Sequence, residues 1–215
     1  MKALLMGLLW LAPQEAFVPA RFASGTAPAL APLAPNGGLV GLELRIAPSG
    51  IVQDAIVIDD SPPFTEEVKK IIRLWKFDPA RLEGERTSTR VAVVALFRAP
   101  ILLGGAPPPP KRLSSPSPEI PYPTSTATPA YPPQAIYEGV VMMEVEVDEK
   151  GAVADVETLG QAEGFAAVAV EAARQFRFQP AKRDGRPVRS YAVLVFGFPQ
   201  PVTPVRPRRR LAGLD

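Results

Sequence analysis

No cysteine and no histidine occur among the 215 residues. Their absence removes disulfide staples, Cys/His zinc sites, cysteine nucleophiles and every Ser-His-Asp arrangement. Carboxylates remain, so composition alone leaves open an acid pair of glycosidase type or a hard-cation site. The neighbouring acids Asp59 and Asp60 are the natural place to look. Adjacent side chains on a strand point to opposite faces, and acids are favoured just ahead of a helix N-terminus. Both are therefore expected to be structural. No catalytic residue, metal or cofactor is expected, and a carboxylate enzyme is the most distant reading.

Net charge is also scarce, at +2, and it is unevenly placed. Residues 38–98 carry nine basic and nine acidic side chains, whereas 138–198 carry seven and ten, so the globular parts are neutral to acidic. Much of the positive excess sits in Arg206, Arg208, Arg209 and Arg210. This cluster reads as a solvated basic tail over 200–215, and no nucleic-acid partner is expected.

A membrane-length apolar run is missing from the N-terminus. Lys2 precedes an unbroken apolar stretch from Ala3 to Ala12, about half of the roughly twenty residues a spanning helix needs. With small residues at Val18 and Ala20, the pattern predicts a signal peptide over 1–20, cleaved near Ala20, and export. A short inner-membrane attachment is the alternative.

What the chain does contain is itself, twice. "WKFDPARLEG" (Trp75 to Gly84) returns as "FRFQPAKRDG" (Phe176 to Gly185), displaced by 101 positions. At that offset residues 38–98 give fourteen identities without a gap, where ordinary residue usage would give roughly four. Among them are Gly38/Gly139, Glu43/Glu144, Gly50/Gly151, Asp54/Asp155 and Phe97/Phe198.

Inside each copy the hydrophobic period changes in a fixed order. Leu42, Leu44 and Ile46 alternate with Glu43 and Arg45, and Met143, Val145 and Val147 with Glu144 and Glu146: two strands, each with one buried face. A turn at Gly50 or Gly151 leads to a second strand, near Ile51–Ile58 or Ala152–Leu159. A helical stripe follows, through Phe64, Val68, Ile71, Ile72 and Trp75 or Phe165, Val168, Ala169, Ala172 and Phe176. Ser61 and Pro62 are expected to cap the first helix, and the second is expected to begin around Ala162. A last strand covers Arg90–Phe97 or Ser190–Phe198. The fold class is thus α+β: two small domains, each a three-stranded antiparallel sheet with one helix packed on it (ββαβ), expected to fold independently.

The duplicated stretch reads as a structural corner. Trp75 and Phe176 close the helix stripe, Phe77 and Phe178 turn toward the sheet, Pro79 and Pro180 forbid further helix, and Gly84 and Gly185 let the chain reverse into the last strand. Between the copies, twelve prolines from Pro100 to Pro133 predict an extended linker holding the domains apart. The expected organisation is an Ala/Pro-rich linker at 21–37, a first domain at 38–99, a Pro-rich linker at 100–130 and a second domain at 131–199.

"YPPQAIYEG" (Tyr131 to Gly139), the hairpin residues Asp148, Gly151, Val153, Asp155 and Val156, and the corner Phe176, Phe178, Pro180 and Ala181 together resemble the C-terminal domain of the TonB family. The likeness covers 131–198, and the first copy is a weaker version with "APLAPNGG" in place of the Tyr-Pro element. The resemblance implies a periplasmic domain that binds an extended peptide of an outer-membrane transporter and passes inner-membrane energy to it. Energy transducers of the family are rooted by a full spanning helix that engages a motor complex. Here the apolar run has half that length and the domain is doubled.

The candidate peptide-binding surface is the last strand, because an edge strand offers unpaired backbone groups. Tyr191, Val193 and Val195 lie on it, with Gln134, Tyr137 and Arg189 beside it. The same edge alternatively pairs with the other repeat or with a second chain, which would make the protein an adaptor or self-associating scaffold without energy coupling.

Overall fold

The computed structural model describes residues 17–30, 35–100, 107–132, 135, 137–162 and 164–202. The apolar run Ala3 to Ala12, candidate residue Gln134 and the arginine cluster Arg206 to Arg210 lie outside the described residues.

The first repeat runs β1 (Phe17–Val18), β2 (Arg21–Ser24), β3 (Gly38–Ile46), β4 (Val52–Asp60), α1 (Phe64–Ile72), β5 (Lys76–Asp78), β6 (Arg81–Leu82), β7 (Glu85–Arg86) and β8 (Thr89–Phe97). A short strand β9 (Lys111–Arg112) follows. The second repeat then runs β10 (Tyr122–Ser125), β11 (Gly139–Val147), β12 (Val153–Leu159), α2 (Ala166–Gln175), β13 (Arg177–Gln179), β14 (Lys182–Arg183), β15 (Arg186–Pro187) and β16 (Ser190–Phe198). The expected ββαβ unit is present in both: β4-β3-β8 and β12-β11-β16 are antiparallel triplets, each with its helix on one face.

The units are not separate. Their last strands, β8 and β16, pair in parallel and fuse the triplets into one seven-stranded sheet ordered β12-β11-β16-β8-β3-β4-β9. The register explains where the helices go. Val93 lies beside Val193 and Val94 beside Leu194, a displacement of 100, whereas the sequence repeats at 101. Because side chains alternate across a sheet, a one-residue mismatch sends equivalent residues to opposite faces. Val91, Val93, Ala95 and Phe97 accordingly pack with Phe64, Val68 and Ile72 of α1, together with Val193 and Val195 from the other repeat. Ala92, Val94 and Leu96 pack on the other face with Phe165, Ala169, Ala172 and Ala173 around α2. Each core thus draws residues from both repeats, and the expectation of independent cores is corrected.

Local sequence accounts for the helices. Ser61 offers its carbonyl, not its hydroxyl, to α1: it accepts the Phe64 and Thr65 amides, while its Oγ accepts the Leu39 amide of β3. In α2 the amides of Phe165 and Ala166 bond back to the Ala162 carbonyl in a preceding turn, and the helix itself begins at Ala166, four residues later than expected.

The corner has one more fold than its sequence suggests. Trp75, Phe77, Phe176 and Phe178 are all buried. Phe77 and Phe178 sit in the short strands β5 and β13, and their amides bond to the carbonyls of Gly50 and Gly151 at the hairpin tips, each 2.8 Å away. A Cβ on either glycine would overlap the carbonyl oxygen of that phenylalanine, so the approach requires glycine. Beyond Pro79 and Pro180 the chain first makes a two-residue hairpin, β6–β7 or β14–β15. Glu83-Gly84 and Asp184-Gly185 supply the two positive φ angles of a type I′ turn, and only then does the last strand begin.

The Pro-rich segments are not free spacers. β2 pairs with β5 and β10 with β13, each with its irregularity at the same point, Phe22/Ser24 and Pro123/Ser125. Each repeat therefore carries an N-terminal arm that zips onto its own corner and then crosses the sheet. The first arm brings Phe17, Ala20, Phe22 and Leu30 to the α1 face, and the second brings Ile120, Tyr122 and Tyr131 to the α2 face. Helix and arm together cover each face, which corrects the reading of 21–37 and 100–130 as plain linkers. The candidate cleavage point Ala20 lies inside the first arm, with 4% of its surface exposed.

Candidate functional site

Strand β16 is not an edge. It pairs with β11 along Gly139–Val147 on one side and with β8 on the other, so the main chain at Val193 and Val195 is committed within the molecule and both side chains are fully buried. Of the two alternatives for this strand, pairing with the other repeat is the one observed. Tyr191 stands near the start of β16, donating its hydroxyl to Glu146 at 3.0 Å with the Arg21 guanidinium 4.1 Å from its ring centre. Arg189 pairs with the same Glu146 at 2.9 Å. Tyr137 lies at the opposite end of the strand, half-exposed, its ring edge-on to Phe165 at 5.3 Å. Tyr191 and Arg189 thus meet at Glu146, and Tyr137 joins neither.

Sequence reasoning missed two clamps that hold the arms. Glu43 and Glu144 are equivalent residues, and both are buried although the alternation places them on the polar side of their strands. Glu144 accepts the Phe22 amide at 2.6 Å and is ion-paired with Arg21, which also reaches Glu157 at 2.9 Å. Glu43 accepts the Ser117 amide at 2.9 Å and pairs with Arg90. Each arm is thus fastened to the carboxylate of the other repeat. The identity Glu43/Glu144 was a visible signal, since an acid placed opposite a hydrophobic stripe by chance has no reason to recur.

Burial pushes the Glu144 carboxyl up from its ordinary range, against the pull of the Phe22 amide and Arg21. The sign of the pH effect follows. A carboxyl raised in the folded state contributes stability that is complete below the unfolded value of about 4.3 and is lost as pH rises through the folded one. The stability of the native chain relative to Glu144→Gln is therefore expected to increase as pH falls from neutral toward about 4. Urea melts of both proteins at several pH values check this; a difference that shrinks on acidification would make the charge clamp, not burial, the dominant effect at this residue.

Asp59 and Asp60 serve the second arm. Asp59 is buried, accepts the Tyr122 hydroxyl and pairs with Arg112 at 2.6 Å. Tyr122 is held protonated far above the ordinary phenol range, first by burial and then by this carboxylate. Asp60 faces Lys111 across the β4–β9 ladder. Among the described residues no group of three or more acids is placed to hold a metal ion, and no helix is long and apolar enough to cross a membrane.

The sheet has two outer edges, and they differ. At β4 the segment Lys111–Arg112 adds as β9 against Asp59 and Asp60, and the Leu113 amide continues to the Ile58 carbonyl at 2.8 Å. At the far end, β12 pairs with β11 on its inner side, and among the described residues nothing pairs with its outer side. Val153–Leu159 therefore has backbone groups facing outward along its whole length, whereas on β4 the two-residue strand β9 covers the Asp59–Asp60 end and, among the described residues, Val52–Val57 has no strand partner on its outer side. Its exposed positions include Ala154, Asp155 and Glu157.

No curated protein matches the chain. The family model described as "Gram-negative bacterial TonB protein C-terminal" matches it twice, over 28–98 and 127–198. Each match takes in part of an arm as well as the ββαβ unit, and together they span more than half of the sequence. The chain accordingly belongs to the TonB C-terminal family, a non-catalytic protein-interaction family of the Gram-negative envelope, with two tandem copies and a TonB-like role in outer-membrane transport.

Proposed function

We propose that this protein works in the periplasm, where it captures an extended segment of an outer-membrane transporter by strand addition, and that it does so along the outer edge of β12. The observation that carries the reading is the contrast between strands. The last strand of each repeat is paired on both sides, whereas among the described residues β12 is paired on one. Main-chain hydrogen bonds would supply much of the affinity and alternate side chains the selectivity.

Energy transduction extends the same reading to a chain whose N-terminal segment stays attached to the inner membrane, the alternative to cleavage near Ala20. A pull applied to the polypeptide ahead of Phe17 would enter through β1 and β2, and the Arg21 contacts with Glu144 and Glu157 would pass it to the second repeat, directly beside β12. A second reading, an envelope adaptor without energy coupling, is supported by the pairing of β8 with β16, which satisfies within one chain the strands a transducer would offer to its partner.

Titration of the whole chain with N-terminal segments of outer-membrane transporters, followed by amide shifts, tests the proposal. Shifts confined to Val153–Leu159 and the facing β11 amides are expected. Shifts at the corner or on the helices, or none at millimolar peptide, would reject strand addition.

A further inference from the structure

We infer that the segment added to β12 is basic, with Lys or Arg at alternate positions on the side of Asp155 and Glu157; this rests on the strand-addition reading. Two observations carry it independently. The first is the charge of the edge. Asp155 and Glu157 are two residues apart and so project to one face, where their partners across the β11 ladder are Glu146 and Glu144. Four carboxylates are thus gathered on a small patch. Arg21 answers Glu144 and Glu157, Arg189 answers Glu146, and Asp155 has no ion pair among the described residues.

The second is the other edge of the same sheet, where the addition has already taken place. There an extended basic segment, Lys111–Arg112, lies antiparallel to β4 with Lys111 opposite Asp60 and Arg112 opposite Asp59, and Arg112 closes an ion pair of 2.6 Å. β4 and β12 are equivalent strands of the two repeats. The molecule therefore displays on one of them the chemistry that the other is equipped to accept, although the acids sit at different positions along the strand.

The same charges argue against a second copy as the occupant. Two β12 strands paired antiparallel about Val156 would set Asp155 of each copy opposite Glu157 of its partner, and like charges directly opposite one another are destabilising. Acids on an exposed edge also keep such edges from pairing indiscriminately. A basic strand would turn that protection into selection.

The test uses the whole chain and three synthetic peptides: Lys-Val-Arg-Thr-Lys-Val, the same peptide with glutamate at its three basic positions, and the same with serine there. The basic peptide is expected to shift the amides of Val153–Leu159 and to bind roughly tenfold more tightly than the acidic one at low salt, with the preference fading toward 1 M salt. Asp155→Lys should remove most of that preference. Glu66→Lys, which makes the same charge change on α1, should leave it intact. Equal binding of all three peptides at β12 would overturn the basic preference and leave strand addition standing. No shift at β12 with any peptide would overturn both. A basic preference equally reduced by Glu66→Lys would assign it to net charge and overturn the site.

Discussion

Residues 118–199, the second repeat with its arm, are expected not to give a monomer with a cooperative melt when expressed alone. Severing the repeats leaves β16 with one face and one edge uncovered. Val193, Val195 and Met142, buried against α1 and β8 in the whole chain, would meet water, and the Glu144 clamp would lose Arg21 and the Phe22 amide. At about 1.5–3 kcal/mol for each large apolar side chain, with the unpaired strand in addition, the loss is roughly 5 kcal/mol or more. Whole domains of this size have only about 5–15 kcal/mol of stability. The fragment should therefore be unfolded or should dimerise through β16, and residues 17–98 supplied in trans should restore a one-to-one complex. Sedimentation and circular dichroism decide the matter. A stable monomeric fragment would mean that the shared cores contribute little.

The second large effect is local. Val193→Asp places a carboxylate where the chain is closed on both sides by hydrogen-bonded strands, directly across the ladder from the buried Glu144, whose own charge already takes Arg21. An unpaired buried charge of this kind is expected to cost at least about 4 kcal/mol, which is enough to unfold a marginal protein. The same change of chemistry at Leu74, a residue 70% exposed beyond the end of α1, should alter stability by no more than about 0.5 kcal/mol. Urea unfolding of the two variants compares them directly, and similar midpoints would show that the central strands are far looser than their burial implies.

These two expectations turn on features that were unevenly legible in the sequence. The order of strands, helix and corner could be read because each has its own hydrophobic period and its own glycine or proline. The fate of the last strand was written less plainly. Leu42-Glu43-Leu44-Arg45-Ile46 alternates, as a strand with one covered face does, but Val91 to Phe97 and Ala192 to Phe198 show no alternation. Such a run belongs to a strand buried on both faces, and both faces need a second layer. That layer is the other repeat with its helix and arm.

The arms escaped notice for a different reason. Proline-rich composition says only that helix and central strand are excluded, and Pro123 satisfies it while still lying in a two-stranded ladder beside Phe178. The useful signal was the offset: Ser24/Ser125, Pro28/Pro129 and Ala29/Ala130 carry the duplication of 101 upstream into both arms. Glu43 and Glu144 were misplaced because alternation reports which residues avoid the nearest apolar stripe, and it is silent about what a distant segment lays over the opposite face. The edge of β12 could not be assigned at all until the pairing of β8 with β16 had removed the competing one.

That pairing also has a consequence in time. During synthesis β8 is complete about 100 residues before its neighbour β16, since Val93 must wait for Val193. At roughly 5–20 residues per second the nascent chain displays β8, paired with β3 on one side only and apolar from Val91 to Phe97, for about 5–20 s. Two chains made side by side could exchange β16 in that interval and close each other's sheets. Whatever keeps neighbouring nascent chains apart, or delays folding until the chain is whole, decides between a closed monomer and an exchanged pair with identical contacts.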